Sequence, residues 1–389
     1  MSDTQMKLRE IRVAVVIPTH WDYLIGGSQY QAKLLIEQLY RTYGVTICYF
    51  TARASTRRKF ADHQVVCVGH TNWFRRFGHF WDYFRLRRAL RAFSPNVIYQ
   101  RVACAYTGIA AGYATQAGIP LVWHIAHDTD CRKSLPIGQL LGRPHTLIET
   151  RLAKRGVRQA DVIVAQTNDQ IRMLHENVGR KADRLIRNFH PAPPACKKGV
   201  KPITVVWIAN LKPTKRPEKF LEIALRLQDL SGIEFLMIGQ PYHSQYLQRH
   251  FEQAIQCQTN VRFLGAVSQE DVNKLLERSH VLVNTSTQEG FSNTFIQAWM
   301  RSVPVLTLGV NPDGLLGNRG LGGNYDSIAE IANSIQELAS NPDTLSDMGE
   351  ISRQFAIQQY SMKNAAELAS LIVETAIDGL SDPADRLRN

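Results

Sequence analysis

The residues with the clearest chemical potential lie together in Gln288-Glu289-Gly290-Phe291-Ser292-Asn293-Thr294-Phe295-Ile296-Gln297-Ala298-Trp299-Met300. Glu289 stands just before a turn, and Ser292 is placed to cap the apolar helix that follows. The free backbone N–H groups of that helix's first turn form a ready site for a phosphate or another anion. Gln297 is the one polar side chain between Phe295 and Met300, so it needs a partner, because burying an amide unpaired is costly. The elements that must position these groups are a strand, His280–Asn284, the polar loop Thr285–Gln288, and the Val303-Pro304-Val305 run after the helix.

This segment resembles the Glu-x7-Glu region of retaining glycosyltransferases with the two-domain GT-B fold, specifically those of family 4. The resemblance implies that the first glutamate, Glu289, contacts the donor sugar. The second glutamate of the pattern binds the nucleotide's ribose, and Gln297 stands in its place. A glutamine still bonds hydroxyls but is a weaker partner than a carboxylate. Ala209-Asn210-Leu211-Lys212-Pro213-Thr214-Lys215 resembles the family's Gly-Arg-Leu-x-x-x-Lys, whose cations clamp the donor diphosphate. Lys215 fits the lysine. Asn210 stands where arginine is usual and offers only a neutral donor, with Arg216 or Lys212 as candidate replacements. Phe235–Gln240 ends a strand at Gly239, where a nucleotide can approach the backbone, and Val261–Gly265 resembles the strand lining the base pocket.

The earlier part of the chain is the looser match. Gly26-Gly27 matches the family's glycine pair, which lets acceptor and donor phosphate approach the backbone; a plain turn is the other reading. Pro120–Asp128 resembles the strand whose terminal histidine sits by the donor sugar. His127 is the expected residue, His124 its rival, and a paired structural histidine the bland alternative. Asp128 and Asp130 either bind acceptor hydroxyls or cap the loop.

The expected fold is α/β: GT-B, two Rossmann-like, doubly wound domains facing each other across a cleft that is the default ligand site. A chain of 389 residues suits two domains, and 44% hydrophobic with 21% charged residues suits a globular protein. Short β-branched runs alternate with helical segments: 11–17, 45–50, 65–68, 97–100, 121–125 and 162–165, then 204–209, 234–238, 261–263, 280–284 and 303–307. The proline-rich, aperiodic stretch between Asn188 and Pro202 breaks the pattern. The expected domains are therefore 1–190 (acceptor side), a linker at 191–201, and 202–362 (nucleotide-sugar side). A last helix at 363–389 packs back on the first domain, as the resemblance implies.

Charge is uneven: residues 1–190 hold 28 Lys/Arg against 13 Asp/Glu, and residues 191–389 hold 18 against 21. The basic half suits an anionic partner (a membrane surface, a phosphorylated carrier or nucleic acid) or is an ordinary arginine-rich solvated surface, and the stretch 73–85 interleaves aromatics with arginines, continued by Arg87, Arg88 and Arg91. Such a mixture favours a lipid headgroup layer, so peripheral contact with an anionic membrane is expected. The competing readings are aromatics packed inward with arginines outward, or stacking on single-stranded nucleic acid, a partner that is not expected here. No signal-peptide core and no spanning apolar run are present, and six scattered cysteines read as reduced thiols, which suits a cytoplasmic protein at the membrane's inner face.

The activity the resemblance implies is a hexose transfer from a GDP- or UDP-sugar donor to a glycan or lipid-linked acceptor in cell-surface polysaccharide synthesis. Lys215 and the helix start at Ser292, Asn293 and Thr294 would stabilise the leaving diphosphate, so no metal or other cofactor is expected. Asn210 and Gln297 together support the alternative of a degenerate GT-B protein that binds nucleotide or a partner without turnover.

Overall fold

Val13–Val16 is wholly buried, as a strand covered on both faces must be, and its alternate side chains enter two different cores. Val13 and Val15 meet Leu35 and Leu39 on one face, while Ala14 and Val16 meet Ile109 and Ala110 on the other. The computed structural model describes residues 10–381 apart from 25, 70–77, 132–143, 196–197, 200, 243, 257 and 318. Two units divide the chain: Met1–Phe189 with Met362–Asn389, and His190–Ser361.

In the first unit, β1 (Arg12–Val16), β2 (Thr46–Thr51), β3 (Gln64–Cys67), β4 (Val97–Arg101), β5 (Leu121–His124), β6 (Val162–Ala165) and β7 (Arg184–Leu185) form a parallel sheet. Its order is β3-β2-β1-β4-β5-β6-β7. The connecting helices are α1 (Gly27–Tyr43), α2 (Gly78–Phe93), α3 (Ala105–Ala117), α4 (Pro144–Gln159) and α5 (Asn168–Val178). Chain order reverses between β1 and β4, which makes the carboxyl ends of these two strands the crevice where α/β sheets take ligands. α3 and α4 touch through glycine: a Cβ on Gly108 would come within 2.2 Å of the Leu152 carbonyl.

The second unit repeats the plan with β8 (Ile203–Ile208), β9 (Ile233–Ile238), β10 (Val261–Phe263), β11 (Val281–Asn284), β12 (Val305–Leu308) and β13 (Gly322–Tyr325). They pair in parallel in the order β10-β9-β8-β11-β12-β13. Its helices are α6 (Pro217–Arg226), α7 (Gln245–Gln256), α8 (Gln269–Arg278), α9 (Asn293–Trp299), α10 (Ile328–Ser340) and α11 (Pro342–Gln359). Here the order reverses between β8 and β11. α12 (Met362–Ser381) belongs to the first unit, where Ala365, Leu368 and Ile372 pack into the core that holds α1.

Each strand expected from a β-branched run lies within two residues of an observed one. The expectation lacked β7, which is only two residues long, and β13, whose Gly-Gly-Asn-Tyr sequence carries no β-branched side chain. Cys48, Cys67, Cys104 and Cys131 are free thiols, while Cys196 and Cys257 lie outside the described residues. No helix among the described residues is long and apolar enough to cross a membrane.

Candidate active site

Because β8 and β11 are neighbours at the reversal point, the loops leaving their carboxyl ends meet. One carries Lys215 in a short 3-10 turn, Pro213–Lys215; the other carries Glu289. Backbone and side-chain bonds sew the two loops together. Thr287 N donates to the Thr214 carbonyl (2.9 Å), and the Thr285 hydroxyl donates to the Lys215 carbonyl (2.7 Å) while accepting from Trp207 Nε1 (2.9 Å). The result is an ion pair of 2.5 Å between Lys215 Nζ and Glu289 Oε1. The same oxygen accepts from Ser286 Oγ (2.7 Å) and Asn284 Nδ2 (3.2 Å). Lys215 is more exposed than Glu289, at 25% against 11% of the side chain, so the carboxylate is the fixed member and the ammonium the one that can leave.

Asn284 and Ser286 were missing from the sequence reading. They stand at a strand end and in its loop, where polar residues are commonplace, and only the fold turns them toward Glu289.

Arg216 is engaged within the loop. Its guanidinium is occupied by the carbonyls of Thr285 (2.5 Å) and Leu308 (2.8 Å), bonds that lock the loop. Lys212 is exposed. Asn210 itself is used locally: its Oδ1 accepts from Gln240 N (3.3 Å), tying the ends of β8 and β9. Gly239 sits at the same junction, where a Cβ would come within 1.7 Å of the Ala209 carbonyl. The glycine is thus demanded by its own neighbouring strand, whatever else approaches it.

Ser292 occupies the N-cap position of α9 but does not cap it. Its hydroxyl pairs with that of Thr294 (2.7 Å) and makes no capping bond to the helix. The expectation of a capping bond is corrected accordingly: a nearby hydroxyl competes for the serine oxygen. Asn293 engages His190, which burial pushes down to about 3. Gln297 is buried, and its Nε2 donates to Asn273 Oδ1 on α8 (3.1 Å), which is the partner an isolated amide required.

In the first unit, Gly26 precedes α1 in an extended conformation, and its carbonyl accepts from Tyr30 N (2.9 Å). His127 follows β5 and is exposed, whereas His124 is fully buried. His124 Nδ1 bonds the Tyr99 hydroxyl (2.9 Å) and Arg101 Nη1 (3.3 Å); burial, then the Arg101 charge, holds it well below the ordinary histidine value. His124 is therefore an interior residue and His127 the accessible one. Of the two aspartates, Asp130 caps the His127 loop, its Oδ2 accepting from Ala126 N (2.9 Å) and His127 N (3.1 Å), with burial raising its pKa. Asp128 Oδ1 accepts from Gln170 Nε2 (3.1 Å).

Residues 73–77 of the aromatic–arginine stretch lie outside the described residues. Along α2, Leu86 and Leu90 face the core and Asp82 accepts from the Tyr106 hydroxyl (2.7 Å). Trp81 and Phe84 are instead 48% and 53% exposed, beside exposed Arg85 and Arg88. For these two aromatics the inward-packing reading does not hold.

Residues 202–341 match the family described as "Glycosyl transferases group 1", and residues 25–188 match "Glycosyltransferase Family 4". No curated protein sequence matches the chain. Among solved structures, it is similar to sucrose-phosphate synthase from Thermosynechococcus elongatus (TM-score 0.76, 14% identity, covering 95% of this chain and 100% of that one). It is also similar to Anabaena HepE in complex with UDP-glucose (0.73, 15%, 94% and 100%). A third is WaaG, a glycosyltransferase involved in lipopolysaccharide biosynthesis (0.69, 13%, 92% and 99%). At these identities the likeness establishes the fold, which is GT-B.

Proposed function

This chain belongs to the family 4, group 1 glycosyltransferases, retaining enzymes that transfer sugar from a nucleotide sugar, and from that premise we propose that it moves a hexose from a UDP-sugar to a glycan or lipid-linked acceptor in cell-surface polysaccharide synthesis. The observation that carries the reading is the Lys215–Glu289 pair at the reversal point of the second sheet. Breaking the bond between sugar and diphosphate develops positive charge on the sugar and negative charge on the leaving phosphate. A lysine held by one carboxylate is free to exchange that partner for the diphosphate, and Ser292, Asn293 and Thr294 at the head of α9 supply backbone donors beside it. The bonds recorded for Glu289 fall on Oε1, which leaves Oε2 to accept from a sugar hydroxyl.

Gln297 takes the ribose, its amide oriented by Asn273 so that the carbonyl oxygen plays the accepting part. In the second unit Gly239 and Asn210 shape the floor of the nucleotide site; in the first unit Gly26 and Gly27 offer backbone to a phosphate and His127 an imidazole to a sugar hydroxyl. The choice of UDP is supported by the HepE complex with UDP-glucose. The acceptor class is supported by the lipopolysaccharide setting of WaaG and by the exposed aromatic–arginine face of α2, which suits an anionic membrane surface on the cytoplasmic side.

A panel of UDP- and GDP-sugars tests the reading through release of nucleoside diphosphate, with and without EDTA and membrane extract. Turnover of a UDP-sugar that survives EDTA and rises with extract is expected. Thermal stabilisation by UDP without turnover of any donor would favour the binding protein instead.

A further inference from the structure

Beyond the residues discussed so far, the first unit holds a chain of four ionisable groups, two buried histidines between two partly exposed aspartates. Asp22 Oδ1 lies 2.5 Å from His20 Nδ1, His20 Nε2 lies 3.0 Å from His63 Nε2, and His63 Nδ1 lies 2.7 Å from Asp62 Oδ1. Both histidines are buried, His20 completely. Trp21 stacks on His20 (4.0 Å between centroids), Phe60 stacks on His63 (4.6 Å), and Tyr49 meets His20 edge-on (4.7 Å). No group of three or more potential metal ligands occurs among the described residues, and the two Nε2 atoms face each other rather than a shared centre.

Hydrogen-bond chemistry fixes the proton count. Ionised carboxylates only accept, so the 2.5 Å and 2.7 Å contacts put a proton on each Nδ1, with Asp22 N at a longer 3.3 Å from His20 Nδ1; a bond between two Nε2 atoms holds one proton more. Three protons on four nitrogens make one neutral imidazole and one imidazolium. Burial lowers the pKa of His20 against the opposing hydrogen bond from Asp22, and the hydrogen bond from His63 lowers that of Asp62. Ser55, a neutral hydroxyl, donates to Asp22; the ionisable or charged neighbours are Lys33 of α1, which acts on Asp62, Arg57, whose guanidinium lies 4.3 Å from the Phe60 ring, and Tyr49, whose hydroxyl donates to the Thr19 carbonyl (2.9 Å).

This chain of bonds anchors the loop between β1 and α1. The His20 carbonyl accepts from Tyr23 N and Leu24 N (both 3.2 Å), and His20 N donates to the Arg53 carbonyl (2.9 Å). Gly26, the N-cap, and Gly27, the first residue of α1, lie two and three positions beyond Leu24. We propose that His20 and His63 form a one-proton dyad that positions this loop, and through it Gly26 and Gly27, for donor binding. The inference rests on the role proposed above for the two glycines. A second proton on the dyad sets two N–H groups and two positive charges against each other at 3.0 Å, so the loop loses its anchor in acid.

Spectroscopy and kinetics test the two halves separately. In imidazole 15N spectra of the full chain, taken from about pH 5 to about pH 9, the two rings are expected to gain and lose their shared proton as one coupled unit, with both Nδ1 atoms protonated throughout. His63→Gln assigns the signals. Two rings that titrate independently, like exposed histidines, overturn the dyad. With UDP-glucose as the probe, the wild-type donor KM is expected to rise about tenfold between about pH 7 and about pH 5. His63→Gln, whose amide donates to the same Nε2 without titrating, should keep the neutral KM within about twofold and lose the acid rise, whereas His63→Leu should raise KM about tenfold at neutral pH. An acid rise that persists in His63→Gln, or a wild-type KM in His63→Leu, overturns the positioning role. A wild type that turns over no nucleotide sugar overturns the proposed function and the positioning role with it, but not the shared proton, which the spectra read independently.

Discussion

Glu289 collects three donors on one oxygen, and that asymmetry explains how a site can be rigid and still exchange a partner. Asn284 and Ser286 hold the carboxylate independently of Lys215. Asn284→Ala should therefore lower kcat by about tenfold with a smaller change in UDP affinity, read by steady-state kinetics beside calorimetry. An unchanged kcat would remove Asn284 from the site. Gln297 presents the opposite situation, an amide already oriented by Asn273. Gln297→Glu should tighten UDP binding by about threefold to tenfold if that side chain meets the ribose, because a carboxylate is the stronger acceptor. No change in the calorimetric Kd would place Gln297 elsewhere. Glu289 and Lys215 were legible in the sequence because their spacing follows a family pattern. Their supporting residues were not, because Asn284, Ser286 and Asn273 act through contacts that no local spacing encodes.

At the scale of elements, the strands were legible because a parallel strand covered on both faces reads as a continuous β-branched run. β13 was not, since its place at the sheet edge tolerates glycine and its pairing with β12 is what makes it a strand. The junction of β8 and β9 shows how tightly the site floor is built. Gly239→Ala would drive a Cβ into the Ala209 carbonyl, so a stability loss of about 2–4 kcal/mol is expected in denaturant unfolding. A loss under about 0.5 kcal/mol would mean that the two strand ends separate easily. The α2 face calls for a different measurement. Arg85→Glu with Arg88→Glu should weaken sedimentation with anionic vesicles by about tenfold and leave turnover of a water-soluble acceptor intact. Equal binding to neutral vesicles would count against a membrane role for this face.

At the scale of the whole molecule, both units bury histidines that resist protonation. His124 in one and His190 in the other are held below the ordinary value of 6.5 chiefly by burial, His190 at about 3. In acid the unfolded chain binds protons that the folded chain refuses, so this stability is fully present above about pH 6.5 and is lost as pH falls below it. His190 alone accounts for about 2 kcal/mol at about pH 5, and unfolding midpoints at pH near 7.5 and near 5 should differ accordingly. Equal midpoints would show the interior histidines to be protonated in the fold.

Glu289 is expected to serve the reaction rather than the fold or the nucleotide. The most direct test is Glu289→Ala, with donor turnover and UDP affinity measured on the same preparation. The expected result is a fall in kcat of at least about a hundredfold with the UDP Kd changed less than about threefold. Parallel loss of turnover and UDP binding, or wild-type turnover, would contradict it.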